Sequence, residues 1–185
     1  GKYVVQRTVQ DLAGMGSVAA AMGASSLNTW LKSPMIAAGG MLDGRTMAAA
    51  FALGAEGIQM GTRMVSSAES PVHQNWKDAI VNAAETDTVF LNRFGPGPAL
   101  RALRTNKTTE MEINPPEAGA MPEMARALDL YFGGDMEASI ALSGQVAGRI
   151  DSVRPVADII RDTVEEFHAC CAELGKRYGV RSGTV

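Results

Sequence analysis

Two short runs typical of strands, separated by a stretch of small residues, form the clearest pattern in the chain. The runs and the pairs that close them are residues 35–38 with Gly39-Gly40, and residues 57–60 with Gly61-Thr62. Residues 45–53 between the runs are small and apolar, which favours a helix that ends at Gly54. Two strands joined by one helix predict a parallel βαβ unit and a domain of the α/β class.

Spacing and punctuation along the rest of the chain predict mainly helices. Ser70 and Pro71 are typical of a helix start, as N-cap and first helical residue. The other expected elements are a strand at 2–9, a helix at 14–32, an extended segment at 88–91, a basic amphipathic helix at 99–107, a loop at 108–120 and a helix at 121–132. The economical interpretation is one α/β domain with a helical section appended after residue 66.

The last predicted helix runs from about residue 155 to residue 178 and carries one apolar stripe. The stripe consists of Val156, Ile159, Ile160, Val164, Phe167, Cys171 and Leu174. A stripe of this kind is typical of a helix face that packs on a core.

Composition excludes several classes of function. The chain has 17 Lys and Arg against 20 Asp and Glu, and its net charge of -3 gives no electrostatic reason to expect nucleic acid. No apolar run approaches the ~20 residues that cross a bilayer, so no membrane partner is expected. Cys170 and Cys171 are adjacent and have no second ligand pair, which predicts neither a disulfide nor a zinc site. We expect free thiols in a reducing cytoplasm.

The two glycine pairs are the strongest candidate for a binding site. Each pair follows a predicted parallel strand, and ligands of α/β folds bind beyond the carboxyl ends of strands. Glycine lets the backbone approach an oxyanion closely, and free N–H groups in such turns, and at the helix start that follows, bind phosphate. Thr62 can add a hydroxyl donor. Two such turns predict one phosphate held between them, as after strands 7 and 8 of a (β/α)8 barrel. Plain strand-to-helix turns are the alternative.

A dinucleotide-binding Rossmann unit does not fit this spacing. Residues 39–44 read Gly-Gly-Met-Leu-Asp-Gly rather than G-x-G-x-x-G. An acidic ribose ligand is expected about 20 residues further on, at the end of the second strand, where Gln59, Met60 and Gly61 stand instead.

Residues 34–80 closely resemble the nitronate monooxygenase family, formerly called 2-nitropropane dioxygenases. The elements AAGG, DGR, ALGAEGIQMGTR and an HxxWK-like segment occur together and in order. RALRT at 101–105 and SGQVAGRID at 143–151 also look like the family, so the resemblance covers residues 34–178. The stretch is similar as well to the FMN-dependent enoyl-ACP reductases that share the fold.

The resemblance implies FMN as the cofactor and a small molecule as the substrate. The residues that it implies around the ribityl phosphate are Gly39, Gly40, Gln59, Met60, Gly61 and Thr62. The implied activity is the oxidation of alkyl nitronates, with oxygen, to carbonyl compounds and nitrite. The alternatives are an FMN- and NAD(P)H-dependent enoyl-thioester reductase, or a non-catalytic fragment of such a barrel. The oligomeric state stays open, with a homodimer as one option.

The implied architecture is the C-terminal part of a (β/α)8 TIM-type barrel with a mostly helical section. Residues 1–66 and the final helix, about 150–178, are assigned to the partial barrel, and residues 67–149 to the helical inserted section. In the family, a histidine before the AAGG strand acts as base or orienting group. No histidine precedes His73 in this sequence, so we identify no catalytic residue and expect structural or surface roles for His73 and His168.

Overall fold

A βαβ unit opens the part of the chain that the structure describes. The computed structural model describes residues 35–92, 99–115 and 126–179. Strand β1 (Ile36–Ala38) pairs in parallel with strand β2 (Gly57–Gln59), and helix α1 (Gly44–Ala52) connects them. The predicted parallel unit is confirmed, with nearly the expected bounds.

Helix α1 begins where Asp43 caps it. The Asp43 carboxylate accepts a hydrogen bond from the Thr46 N–H at 2.8 Å, and the Thr46 hydroxyl accepts one from the Asp43 N–H at 3.1 Å. This reciprocal capping box satisfies amide groups that a helix start would otherwise leave without partners. Gly44, the first helical residue, is buried.

The remaining elements follow in chain order. They are α2 (Thr62–Val65), α3 (Gln74–Val81), β3 (Thr88–Leu91), β4 (Leu100–Leu103), α4 (Asn106–Ile113), α5 (Ala127–Tyr131), a 3-10 helix (Gln145–Arg149) and α6 (Val156–Tyr178). Strands β3 and β4 form an antiparallel pair, which Leu142 extends through a bridge to Ala102. In the part of the section after residue 66 that the structure describes, helices therefore combine with an antiparallel sheet.

The predictions of a helix at 99–107 and a loop at 108–120 were wrong. Residues 100–103 form strand β4, and α4 occupies the start of the predicted loop. Ala102 is buried in a cluster with Val89 and Ile140, so packing across the sheet overrides the local helical pattern. The helix then starts after Thr105, whose hydroxyl accepts a hydrogen bond from the backbone N–H of residue 108 at 3.2 Å.

The helix predicted to start at Ser70-Pro71 begins a few residues later. His73 is the N-cap of α3, and its Nδ1 accepts a hydrogen bond from the Asn75 N–H at 3.1 Å. His73 thus has a structural contact at the start of α3. Trp76 on the same helix is buried at 1% exposure.

Helix α6 runs over the predicted range, but most of its predicted apolar stripe faces outward. Ile160, Val164 and Leu174 are 49%, 41% and 46% exposed. The side that packs against α1 includes Phe167, whose ring meets that of Phe51 edge to face at 5.2 Å between centroids. The cysteines on this helix are both free, as expected, with residue 170 half-buried and residue 171 exposed.

The buried apolar residues fall into separate clusters. The βαβ unit has one, formed by Ala37, Met41, Ala50 and Ala55. A larger cluster lies in the following section and consists of Val72, Trp76, Ile80, Leu103, Leu130, Ala138, Ala141, Ala147 and Ile150. The second cluster includes Ala147 of the 3-10 helix. Packing against this cluster therefore fixes the position of the 3-10 helix.

Some expected elements fall where the structure gives no description. The strand expected at 2–9 and the helix expected at 14–32 lie outside the described residues, as does the 121–125 part of the helix expected at 121–132. Within the described residues, no helix combines the length and apolar character needed to cross a membrane.

Candidate phosphate-binding site

The parallel register of β1 and β2 brings the two glycine turns side by side. Ala38 pairs with Gln59, so Gly39 and Met60 leave the sheet at the same edge. The carboxyl ends of parallel strands are the edge at which α/β folds bind ligands. The structure therefore brings together the two turns that the sequence singled out.

Both turns present open backbone. Gly39 and Gly40 have φ angles of +83° and +75°, in the left-handed region that residues with a Cβ rarely adopt. Gly61 has a φ of -81°, which any residue can adopt. At Gly39 and at Gly61, an added Cβ would meet nothing within 4 Å. A phosphate oxygen needs this kind of access to reach a backbone N–H group.

The start of α1 contributes less than expected. Glu166 on α6 accepts a hydrogen bond from the Gly44 N–H at 2.9 Å, and Asp43 accepts one from the Thr46 N–H at 2.8 Å. These first-turn amides are therefore bound by carboxylates, whose negative charge also opposes an anion. A phosphate at this edge would depend on the amides of the turns rather than on the helix start.

The other three candidate residues differ in what they offer. The Thr62 hydroxyl oxygen accepts a hydrogen bond from the Gly144 N–H at 2.8 Å, which leaves its hydrogen to donate elsewhere. Gln59 is exposed beside the turns. Met60 packs against the cluster of the βαβ unit, so it can offer its backbone but not its side chain.

Two arginines pair with the carboxylates next to the start of α1. Arg149 donates to the Asp43 carboxylate at 2.8 Å, and Arg45 lies 3.2 Å from the Glu166 carboxylate. Sequence reasoning missed both pairs. Arg149 and Asp43 stand in the SGQVAGRID and DGR stretches, but neither stretch shows that its residue meets the other.

Arg63 is a buried residue of α2, the short helix that follows the second turn. Its buried guanidinium donates to the Ser152 carbonyl at 2.8 Å and contacts the Ser66 hydroxyl at 3.3 Å. Burial lowers the pKa of Arg63 from its ordinary value; nearby Arg154 lowers it further, and Asp151 opposes the shift. These hydrogen bonds tie α2 to Ser66 and to the segment at Ser152, and so hold the helix that follows Gly61 in place.

A polar cavity of about 200 Å³ lies beside these ion pairs. It is lined by Leu42, Asp43, Arg63, Arg149, Ile150, Asp151, Ser152, Arg154, Ile159, Asp162, Thr163 and Glu166. Arginines and carboxylates line it in nearly equal number, so the cavity favours neither sign of charge. No three His, Cys, Asp or Glu side chains in the described ranges are arranged to hold a metal ion.

Neither histidine reaches the glycine turns. His73 caps α3, and its ring lies so close to Gly134 that a Cβ there would come within 2.3 Å of Nδ1. His168 is exposed on α6, with its ring 5.2 Å from that of Phe167. Both positions agree with the structural or surface roles expected from the sequence.

Sequence comparison relates the chain to one family. The sequence model of the family described as nitronate monooxygenase matches residues 9–166. A probable nitronate monooxygenase from Staphylococcus aureus (strain MSSA476) is 34% identical over 140 residues, which are 73% of this chain and 39% of that protein. The chain thus spans well under half the length of this curated relative.

Solved structures show the same fold. FabK from Thermotoga maritima is 42% identical, with a TM-score of 0.74 over 83% of this chain and 50% of that chain. A nitroalkane oxidase from Streptomyces ansochromogenes is 22% identical, with a TM-score of 0.71 over 86% of this chain and 45% of that chain. The second likeness concerns the fold alone.

Proposed function

Because the chain belongs to the nitronate monooxygenase family, we propose that it forms the FMN phosphate-binding part of a flavin-dependent oxidoreductase. The proposed reaction is the oxidation of alkyl nitronates, with oxygen, to carbonyl compounds and nitrite. The proposed architecture is the C-terminal part of a (β/α)8 barrel. Residues 1–66 and the final helix belong to the barrel, and residues 67–149 form the inserted section.

The observation that supports this proposal best is the pair of open turns at one edge of the β1–β2 sheet. A phosphate oxygen must come within about 2.7–3.2 Å of a backbone nitrogen to accept its hydrogen bond. A Cβ at Gly39 or Gly61 would stand in space that is otherwise empty. The residues present therefore fit a phosphate group.

The chain's own residues would bind and orient the phosphate end of the cofactor. The backbone N–H groups of Gly40 and Gly61 and the hydroxyl of Thr62 are the proposed donors, and Gln59 lies exposed beside them. When bound, FMN supplies a flavin ring that accepts electrons from the substrate and passes them to oxygen. Fixing the phosphate restricts the position and orientation of that ring, and the reaction rate depends on this orientation.

Two measurements on the purified full-length protein test the proposal. We expect flavin absorption at about 450 nm, since bound flavin is its own label, and release of nitrite from a supplied alkyl nitronate in the presence of oxygen. A protein that is colourless and takes up no added FMN would refute the cofactor. A flavoprotein that oxidises NAD(P)H with an enoyl thioester and releases no nitrite would replace the proposed reaction with the reductase alternative.

A further inference from the structure

We propose that Arg149 is a positioning residue that neutralises Asp43 beside the first glycine turn, so that the turn can hold a dianionic phosphate. The inference rests on the proposed FMN site. The Arg149 guanidinium donates to the Asp43 carboxylate at 2.8 Å, across 106 residues of sequence. The pair joins the loop that follows Gly40 to the 3-10 helix.

An unpaired carboxylate at position 43 would oppose phosphate binding. Three residues of fully extended chain span at most about 11 Å, so Asp43 lies within roughly that distance of Gly40. A phosphate monoester carries a charge of about -1.5 to -2 at neutral pH. Charges separated by about 8–10 Å are only partly screened at physiological ionic strength. Pairing with Arg149 removes most of this repulsion.

We expect the ion pair to affect the charge beside the first glycine turn more than it affects folding stability. The side chain of Arg149 is 46% exposed and that of Asp43 is 23% exposed, and exposed ion pairs stabilise folded proteins only weakly. Asp43 caps α1 through its other carboxylate oxygen, which accepts from Thr46. Asparagine is an equally good N-cap, so Asp43→Asn removes the charge and keeps the cap.

The same segment also touches the second turn. Gly144, just before the 3-10 helix that carries Arg149, donates its N–H to the Thr62 hydroxyl at 2.8 Å. Trp76 donates to the Ser143 hydroxyl at 3.2 Å and so ties the segment to α3. The segment that carries Arg149 is therefore bound to the second turn through Thr62 and to the residues after the first turn through Asp43.

The test is a fluorescence titration of FMN into the full-length apoprotein and its variants. We expect Arg149→Met to raise the Kd of FMN about fivefold to tenfold, because it leaves Asp43 unpaired. Asp43→Asn should not raise the Kd, and the double variant should return to within about twofold of the wild type. Arg177→Met removes an exposed arginine that pairs with Glu173 near the end of α6, and should leave the Kd unchanged.

The double variant separates neutralisation from a merely structural role. If the pair only supported the fold, both single substitutions would weaken FMN binding and the double variant would not recover it. A Kd for Arg149→Met equal to that of the wild type, or a double variant as weak as Arg149→Met, would overturn the inference. High salt should also shrink the difference between wild type and Arg149→Met.

Other outcomes remain decisive. If Arg149→Met does not fold, Asp43→Asn decides alone, since a raised Kd contradicts the inference and an unchanged or lowered Kd supports it. A wild-type protein that takes up no FMN would overturn the proposed function and this inference with it. Equal Kd values for the wild type and a folded Arg149→Met that binds flavin would overturn this inference alone.

Discussion

Glycine has three distinct roles within the βαβ unit. Gly39 and Gly40 supply positive φ angles to the first turn. Gly44 allows close contact between helices, because a Cβ there would come within 2.2 Å of the Phe167 backbone nitrogen. Gly61 has an ordinary φ and open space around it, so neither backbone strain nor packing among the described residues calls for glycine. Under the proposed function, Gly61 leaves room for the phosphate to approach the backbone.

The first prediction uses Gly61, where binding and folding can be separated. We expect Gly61→Ala to weaken FMN binding about tenfold or more, because the new methyl group stands where a charged oxygen would accept a backbone hydrogen bond. The free energy of unfolding should stay equal or rise by about 0.4–1 kcal/mol, because the φ angle suits alanine. Flavin titration and urea unfolding of the full-length protein measure the two effects.

Gly40→Val provides the contrast for that measurement. Its positive φ predicts a loss of folding stability of about 1–2 kcal/mol together with the loss of FMN binding. If Gly61→Ala also lost stability and binding in parallel, the second turn would be a structural turn and not a ligand contact.

At the scale of elements, local patterns predicted the βαβ unit, the extended segment that forms β3 and helix α6, but not strand β4. A strand that ends in Gly-Gly and a run of small residues that ends at Gly54 are local signals, and the structure confirms them. Strand β4 depends on pairing with β3 and on the bridge from Leu142 to Ala102, and neither contact follows from the pattern of residues 99–107 alone. A single sequence read locally could not show that such pairing overrides helical spacing.

A second prediction concerns the contact between α1 and α6. We expect Gly44→Ala to lower the free energy of unfolding by about 1–3 kcal/mol, because its methyl group would collide with the backbone of α6 at residues 163–167. The matched control is Gly175→Ala on α6, where a Cβ would meet nothing within 4 Å. That control should stabilise the protein by about 0.5–1 kcal/mol. Urea unfolding that showed the same change for both variants would mean that the helices do not approach as described.

For the whole molecule, the described residues do not bury all of their apolar surface. Ile36 on β1 is 65% exposed, although parallel strands are normally covered on both faces. Ile160 and Val164 on α6 are also exposed. These surfaces agree with the proposed position of the βαβ unit and α6 within a larger barrel.

In the candidate site too, features set by neighbouring residues could be predicted from the sequence, and contacts between distant residues could not. The glycine turns could be predicted because each lies within a few residues of the strand that positions it. The pairing of Arg149 with Asp43 spans 106 residues, and the hydrogen bond between Gly144 and Thr62 spans 82. Neither pairing leaves a local pattern, so the residues that support the turns emerge only from the folded structure.

The last prediction concerns the base that the proposed reaction would need for neutral nitroalkanes. Removing a proton next to a nitro group requires a base within hydrogen-bonding reach, and such groups contribute roughly 10²–10⁴-fold to rates. The described geometry gives both histidines other positions. His73 is engaged at the start of α3, and His168 lies exposed on α6.

We therefore expect the 185-residue polypeptide, incubated with FMN, to release no nitrite from a neutral nitroalkane. Supplying the alkyl nitronate instead bypasses proton removal. Nitrite from the nitronate alone would indicate a working flavin site without its base, and nitrite from neither substrate would indicate that these residues do not form the flavin site alone. Rapid turnover of the neutral nitroalkane would contradict the prediction and require a base other than the two histidines, which substitution of the remaining acid–base side chains would then locate.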